Sequence, residues 1–326
     1  MRDDLIRRTL ILLPQLLVVT FITFLFINLA PGDILAKYRF DPRISPESVK
    51  KIEQKYHFDK PAVVQYGYWL GRLCHLDLGY SFSREANVTT VIAERVGNTL
   101  LMSSMAIIFT WLIALPLGIY AAVKQYSWGD RILSFISYFG MSLPGFFFAL
   151  ILMFCIYSLS NIPFFAALPI GGMVSPNHES LPWFAKIGDV ALHLILPVLV
   201  LTVTALAGLQ RIARGNMLEE LRKQYVITAR AKGLPENQVI YKHALRNAIN
   251  PLITLFGYSF SELLSGAAIL EIVINWPGLG SLIYQAVRAQ DTFLVMGSML
   301  MGGVMLIVGN LIADLLLVVA DPRVRS

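Results

Sequence analysis

Apolar residues in this chain gather into long charge-free stretches separated by polar segments of very unequal length. The stretches run from Thr9 to Gly32, Val96 to Val123, Ile132 to His178, Val190 to Gln210, Asn247 to Leu270 and Thr292 to Ala313, the last continuing past Asp314 to Ala320. Only Glu262 interrupts the fifth. A helix needs about 20 mostly apolar residues to cross the hydrocarbon core of a bilayer. The third stretch is long enough for two helices, but after Tyr157 it carries Pro163, Pro169, Gly171, Gly172 and Pro176. These residues break a helix, which leaves one span and then an irregular loop. The pattern therefore predicts an all-α membrane protein of six transmembrane helices, at about 9–30, 98–123, 132–157, 190–210, 248–270 and 293–319, in a single 1–326 domain. Pro14, Pro116, Pro144 and Pro197 lie within or at the ends of these spans, where each removes a backbone hydrogen bond and favours a kink.

Two polar segments are too long to be simple connections. In the first, residues 31–97, Ser45 is placed to cap a helix, Pro46 suits its first turn, and Val49, Ile52 and Tyr56 share one face. Pro61 opens a second run in which Val63, Tyr66, Leu70 and Leu73 recur at helical spacing. The other segment, residues 211–247, carries a helical pattern through Leu218, Leu221, Tyr225 and Ala229. Gly233 then supplies a left-handed stop and Pro235 blocks continuation. A second helix begins there, with Pro235 and Glu236 in its first turn, and leads through Ile240, Ala244 and Ala248 toward the fifth span. The result is a compact basic projection with a corner at Lys232-Gly233-Leu234, shaped to dock on a soluble partner.

Charge sets the orientation. Only 15% of residues are charged against 56% hydrophobic, and the net charge is +6; soluble domains carry about 25% charge. The segments before the first span, after the second, after the fourth and after the sixth hold 15 Lys/Arg against 7 Asp/Glu, while the other three loops balance at 12 against 12. The positive side is cytoplasmic, so both termini and the 211–247 projection face inward, and residues 31–97 face out. Arg7 and Arg8 ahead of a long apolar stretch read as a signal-anchor and not a cleaved leader. The positive charge is a topology signal and implies no nucleic acid.

Chemistry of its own is sparse. The chain has no GxxxxGK[ST] to cradle nucleotide phosphates, no HExxH, and no Gly-x-Ser-x-Gly. His57, His75, His178, His193 and His243 are scattered without ligand spacing, and Cys74 and Cys155 allow at most one bridge. No metal site and no catalytic residue is expected. Glu262 and Asp314 are the ionisable residues within spans. Glu262 lies deep, so it lines a substrate path or packs as a neutral, hydrogen-bonded group.

The run Tyr225-Val-Ile-Thr-Ala-Arg-Ala-Lys-Gly-Leu234, followed by His243-Ala-Leu-Arg-Asn-Ala248 and Pro251, resembles the cytoplasmic loop of binding-protein-dependent ABC importer permeases. More narrowly, the chain resembles the oligopeptide/dipeptide/nickel permease family, of the first-permease (B-type) kind. Pro31-Gly32-Asp33, Asp77-Leu-Gly79 with Ser81, His193-Leu-Ile-Leu-Pro197, Glu271 before Trp276-Pro-Gly-Leu-Gly280, Asn310-Leu-Ile-Ala-Asp314 and Asp321-Pro-Arg-Val-Arg325 carry the resemblance over nearly the whole chain, in order. Ala229 and Gly233 match the second alanine and the glycine of the family's Glu-Ala-Ala-x-x-x-Gly pattern, while Ile227 and Thr228 replace its Glu and first Ala.

The resemblance implies a type I ABC importer permease whose projection is a coupling helix seated in an ATPase subunit. Arg222, Tyr225, Ala229, Arg230, Lys232, Gly233 and Leu234 would make that coupling. Asp77, Gly79, Glu271, Trp276, Pro277, Gly278 and Gly280 would face an extracytoplasmic binding protein. The implied partners are two ATP-binding subunits, which hold the ATP and magnesium, a second permease chain that is a different protein, and the lipid of a bacterial inner membrane. Peptides are the substrate the resemblance favours, with nickel or another small solute as the alternative. A proton-coupled secondary transporter using Glu262 is the rival from a different mechanism; an intramembrane enzyme would need a catalytic constellation that the residues do not offer.

Overall fold

The computed structural model describes residues 2–30, 34–40 and 43–320, without the side chains of residues 2–13, 36–37, 254, 257–266 and 313–320. Pro31-Gly32-Asp33 and Asp321–Arg325 thus lie outside the described residues, as do the side chains of Glu262 and Asp314. The chain, expected to form one domain, forms two compact units, Met1–Thr99 with Pro277–Ile307 and Leu100–Trp276 with Val308–Ser326.

The first unit contains α1 (Arg2–Leu29), α2 (Pro46–Tyr56), α3 (Ala62–Leu73) and a short antiparallel hairpin, β1 (Tyr80–Ser81) and β2 (Ala86–Asn87). It also contains the start of α4 (Val88–Val123). Helix α2 begins as its sequence predicts. The Ser45 hydroxyl accepts from the Ser48 N–H at 3.2 Å, satisfying one of the donors that a helix start leaves without a partner. Helix α3 buries Tyr66 and Trp69 and leaves Val63 exposed, which corrects the face expected from spacing. Aromatic geometry decides that face. The Tyr66 ring meets Phe21 and Phe24 of α1 at 5.1 and 5.7 Å, its hydroxyl donates to the Leu17 carbonyl at 3.0 Å, and the Trp69 indole reaches the Leu78 carbonyl.

The same unit ends in α10 (Leu279–Arg288) and the first part of α11 (Thr292–Ala320). Asp291, at the N-terminus of α11, is fully buried. Its carboxylate accepts from Ser81 Oγ at 2.7 Å, Ser83 N at 2.9 Å and Ser83 Oγ at 2.8 Å, and from the Leu294 N–H at 3.2 Å. One side chain thereby caps a helix and clamps the hairpin.

The second unit holds the rest of α4, then α5 (Trp128–Ser142), α6 (Gly145–Ser158), α7 (Trp183–Leu221), α8 (Gln224–Ala231), α9 (Asn250–Val273) and the end of α11. The single span expected at 132–157 is instead α5 and α6, which meet at 102°. Leu143 is extended (φ −99°, ψ 124°) and Pro144 has no N–H to carry the helix through. Pro14, Pro116 and Pro197 lie inside continuous helices. Among the described residues, Val88–Val123, Trp183–Leu221 and Thr292–Ile312 are each long and apolar enough to cross a bilayer, and the bent α5–α6 pair makes a fourth if counted as one span. Exposed Tyr126 and Trp128 before and at the start of α5, and Trp183 and Phe184 at the start of α7, are rings suited to bilayer interfaces.

The core of this unit joins Met102 and Ala106 of α4, Ala149 and Ile156 of α6, Leu196 and Val200 of α7, and Ala267 and Ile274 at the end of α9. The loop after α6 is held at both ends. Gly172 N–H donates to the Ile274 carbonyl at 2.8 Å, and a Cβ on Gly171 would approach that oxygen to 2.6 Å. At the other end the buried Asp189 carboxylate accepts from Ser175 N, Ser175 Oγ and His178 Nδ1, at 3.0, 2.6 and 2.7 Å.

Candidate functional site

The projection between α7 and α9 is built around its own small core. Helix α7 does not stop at the end of the apolar stretch but runs on to Leu221, and after a break at Arg222-Lys223 the eight residues of α8 follow. The continuous helix expected from Leu218 through Ala229 is therefore two helices. Val226 and Ala229 of α8 pack on Met217 of α7, Ala122 of α4, and Val239, Ile240, Ala244 and Ala248 on the returning limb. That limb, residues 236–248, is helical as expected, with a π-helical turn over Val239–Ala244.

Gly233 makes the corner. Its φ is +76°, in the left-handed region open to glycine at little cost, and its N–H bonds the Arg230 carbonyl at 2.9 Å while the Leu234 N–H reaches back to Ala229. Arg230 grips Glu236 across this corner with Nη2 to Oε1 at 2.7 Å. The hydrogen bond from Arg230 holds the Glu236 carboxyl below its ordinary value, and the reciprocal bond raises Arg230. A carboxyl with a lowered folded value contributes stability above its unfolded value and loses it as pH falls through the folded one, so this clasp is complete at neutral pH and opens in acid.

The expected coupling residues divide by direction. Ala229 is buried and Leu234 half-buried, and both pack in the core of the projection. The Tyr225 hydroxyl is engaged by Glu220 and accepts from Asn247 Nδ2 at 2.9 Å, tying α8 to both flanking limbs. Arg222, Arg230 and Lys232 are exposed. Ile227, which replaces the family's glutamate, is 46% exposed, and Tyr241 on the returning limb is 59% exposed. The outer surface of the projection therefore offers two apolar side chains among cations.

Below it lies a contact that no local pattern announces. Arg214, two helical turns before the end of α7, forks onto Asp130 with Nε to Oδ1 at 2.7 Å and Nη2 to Oδ2 at 2.8 Å. Asp130 is buried, accepts the Tyr126 N–H at 2.9 Å, and donates its own N–H to the Ser127 cap of α5. The Ser127-x-x-Asp130 spacing marks a helix start in sequence, but the arginine stands 84 residues away. Ser137 of α5 donates to Gln210 of α7 at 2.8 Å, and a Cβ on Gly118 of α4 would approach Ala213 to 2.7 Å. The base of the projection is thus locked to α4 and α5.

The residues expected to face outward are mostly structural. Asp77 is exposed and bonded to Gly79 N at 2.9 Å and Arg72 Nε at 3.0 Å; burial opposes its charge, but these bonds hold the carboxyl below its ordinary value. Gly79 is buried at φ +105°, where a Cβ would press on the Phe293 ring at 2.9 Å. Glu271 and Trp276 are fully buried, against the expectation that they face a partner. Asn275 turns the chain back at φ 55° and the Trp276 N–H bonds the Glu271 carbonyl at 2.7 Å, which directs the indole into the core of the second unit. In the first unit, Pro277 accepts Asn98 Nδ2 at 2.9 Å and the Leu279 N–H reaches Thr99 Oγ1 at 2.7 Å. Gly278 is buried there as the cap of α10, and Pro277 and Gly280 are half-buried.

Comparison with known proteins gives the family. The family model described as "Binding-protein-dependent transport system inner membrane component" matches residues 114–326, and the model of that component's N-terminal region matches residues 1–103. The chain is 38% identical over 322 residues to the oligopeptide transport system permease protein AppB of Bacillus subtilis (strain 168), covering 98% of each chain. It is 36% identical over 321 residues to a putative peptide transport system permease protein of Brucella abortus (strain 2308), again covering 98% of each. It is also 33% identical over a 341-residue alignment to the dipeptide transport system permease protein DppB of Escherichia coli (strain K12), covering all of this chain and 99% of that one. Matched over residues 1–103 and 114–326, the chain belongs to the inner-membrane components of binding-protein-dependent transport systems.

Proposed function

We infer that this chain is the permease subunit of an ATP-driven importer of peptides. It crosses the inner membrane six times with both termini in the cytoplasm, beside a second and different permease chain. Two ATP-binding subunits hold the nucleotide and its magnesium, and a binding protein outside delivers the substrate. The chain itself performs no chemistry. The observation that carries this function is the projection: a left-handed corner at Gly233, a private core behind α8, and exposed Ile227 and Tyr241 at its surface. Closure of the ATPase pair on nucleotide would move α8, and the Arg214–Asp130 fork would pass that motion to α5. A partner that gripped α8 equally before and after closure would shift nothing, so its grip must differ between the two states.

The names of the relatives support peptides as the substrate. Removing the chain from its host is expected to abolish uptake of labelled di- to pentapeptides and to leave nickel uptake unchanged. Loss of nickel uptake with peptide uptake intact would contradict the peptide assignment.

A further inference from the structure

A cavity of about 580 Å³ lies in the elbow between α5 and α6, entirely within the second unit. Thr110 and Trp111 of α4, Gly140 and Leu143 near the bend, and Thr204 and Gly208 of α7 are among the residues that line it. Its size suits a small ligand or a short stretch of a longer one. Three features of the wall restrict what it can hold.

The first is charge. No Lys, Arg, Asp, Glu or His stands among the described lining residues, so the wall offers a counter-charge to neither a cationic nor an anionic side chain and selects neither over the other. The second is unmet hydrogen bonding. Thr110 is 3% exposed, and among the described residues neither its hydroxyl nor the Trp111 indole N–H has a partner. An indole nitrogen donates only, so Trp111 calls for an acceptor such as a carbonyl oxygen, whereas the Thr110 hydroxyl can donate or accept. Thr204 adds nothing to this demand, because its hydroxyl is spent on the Val200 carbonyl of its own helix. The third is room. A Cβ on Gly208 would meet nothing within 4 Å, so its place in the wall is open space.

An uncharged group that offers a carbonyl acceptor beside an N–H donor, repeated regardless of side chain, is the peptide main chain. The geometry points to this elbow as a station on the transport path that holds the backbone of a passing peptide through Trp111 and Thr110 and ignores the charge of its side chains. This assignment rests on the peptide-import function inferred above. It places substrate contact on uncharged groups of α4 and α7, where Glu262 was the candidate from sequence.

The test uses the complete transporter, with uptake measured for three tripeptides whose central residue is Ala, Lys or Glu. Trp111→Phe keeps the ring that packs edge-on to Phe256 at 5.2 Å and removes only the N–H; Thr110→Val removes only the hydroxyl. Each is expected to lower uptake about fivefold, the worth of one neutral hydrogen bond, by the same factor for all three peptides. Gly208→Leu, at a helical site where leucine is the better helix former, is expected to fill the cavity and abolish uptake of all three, with the variant still co-purifying with its partner subunits. Unchanged uptake in Trp111→Phe and Gly208→Leu would overturn the assignment. So would a loss confined to one side-chain charge, or a Gly208→Leu chain that no longer co-purifies, which would make the elbow an assembly surface. A wild-type transporter that imports none of the peptides would instead refute the underlying function.

Discussion

Asp130→Ala is expected to be the most damaging single change at the base of the projection. Asp130 is buried and takes both forks of Arg214 together with the Tyr126 N–H. Removing Asp130 leaves the Arg214 charge without compensation, and because Arg214 keeps 24% of its side chain exposed the cost lies toward the lower end of the range of about 3–5 kcal/mol for a fully buried pair. That is a large share of the 5–15 kcal/mol by which a folded domain is stable. The asymmetry of such pairs gives a sharper expectation. The double variant Asp130→Leu/Arg214→Leu removes both charges, so it should lose less than the sum of the two single changes and recover part of the stability lost in Asp130→Ala. Thermal unfolding of the purified chain in detergent measures all of these. Additive losses would mean that the fork contributes nothing as a pair.

Gly233→Val should separate ATP hydrolysis from transport while leaving the protein folded. At φ +76° any residue with a Cβ is strained by about 1–2 kcal/mol, and a β-branched one is the least tolerant. Nothing lies within 4 Å of the position, so the penalty is conformational and not a clash. A strain of that size changes the population of the native corner by about tenfold. Because α8 hangs on this corner, its angle to the returning limb changes and a partner seated on Ile227 and its neighbours loses the lever. The order of effects is diagnostic. Asn, which tolerates the left-handed region, should transport best, then Ala, then Val. Uptake per ATP hydrolysed, measured across the three variants, checks this order; equal ratios would show that the corner has no coupling role.

Local signals in the sequence translated well into local structure. Ser45 with Pro46 starts α2, and Gly233 before Pro235 turns the projection, because caps and left-handed stops involve residues a few positions apart. The apolar stretches located the long helices for the same reason. Direction was not legible. Pro144 read as a kink inside a span, but a 102° bend needs the extended Leu143 as well, and apolarity carries no record of where a helix points. Nor were the polar locks, since Ser81 and Asp291 meet across 210 positions and Asp130 and Arg214 across 84. Glu271 and Trp276, read as outward-facing, lie buried in the chain, because a motif can be specific for a turn and its packing as readily as for a partner. The projection shows the same division on a smaller scale: Ala229 faces its own core, whereas Ile227 stands exposed.

The central claim is that α8 and its corner transmit work from a separate ATPase to a helical bundle that has no engine of its own. Peptide uptake into liposomes tests it most directly, with the chain reconstituted beside its partner permease, with and without the ATP-binding subunits, in the presence of loaded binding protein. Uptake is predicted only when the ATP-binding subunits and ATP are present, and it should cease with a non-hydrolysable nucleotide. Accumulation driven by a proton gradient in the absence of ATP would contradict the account.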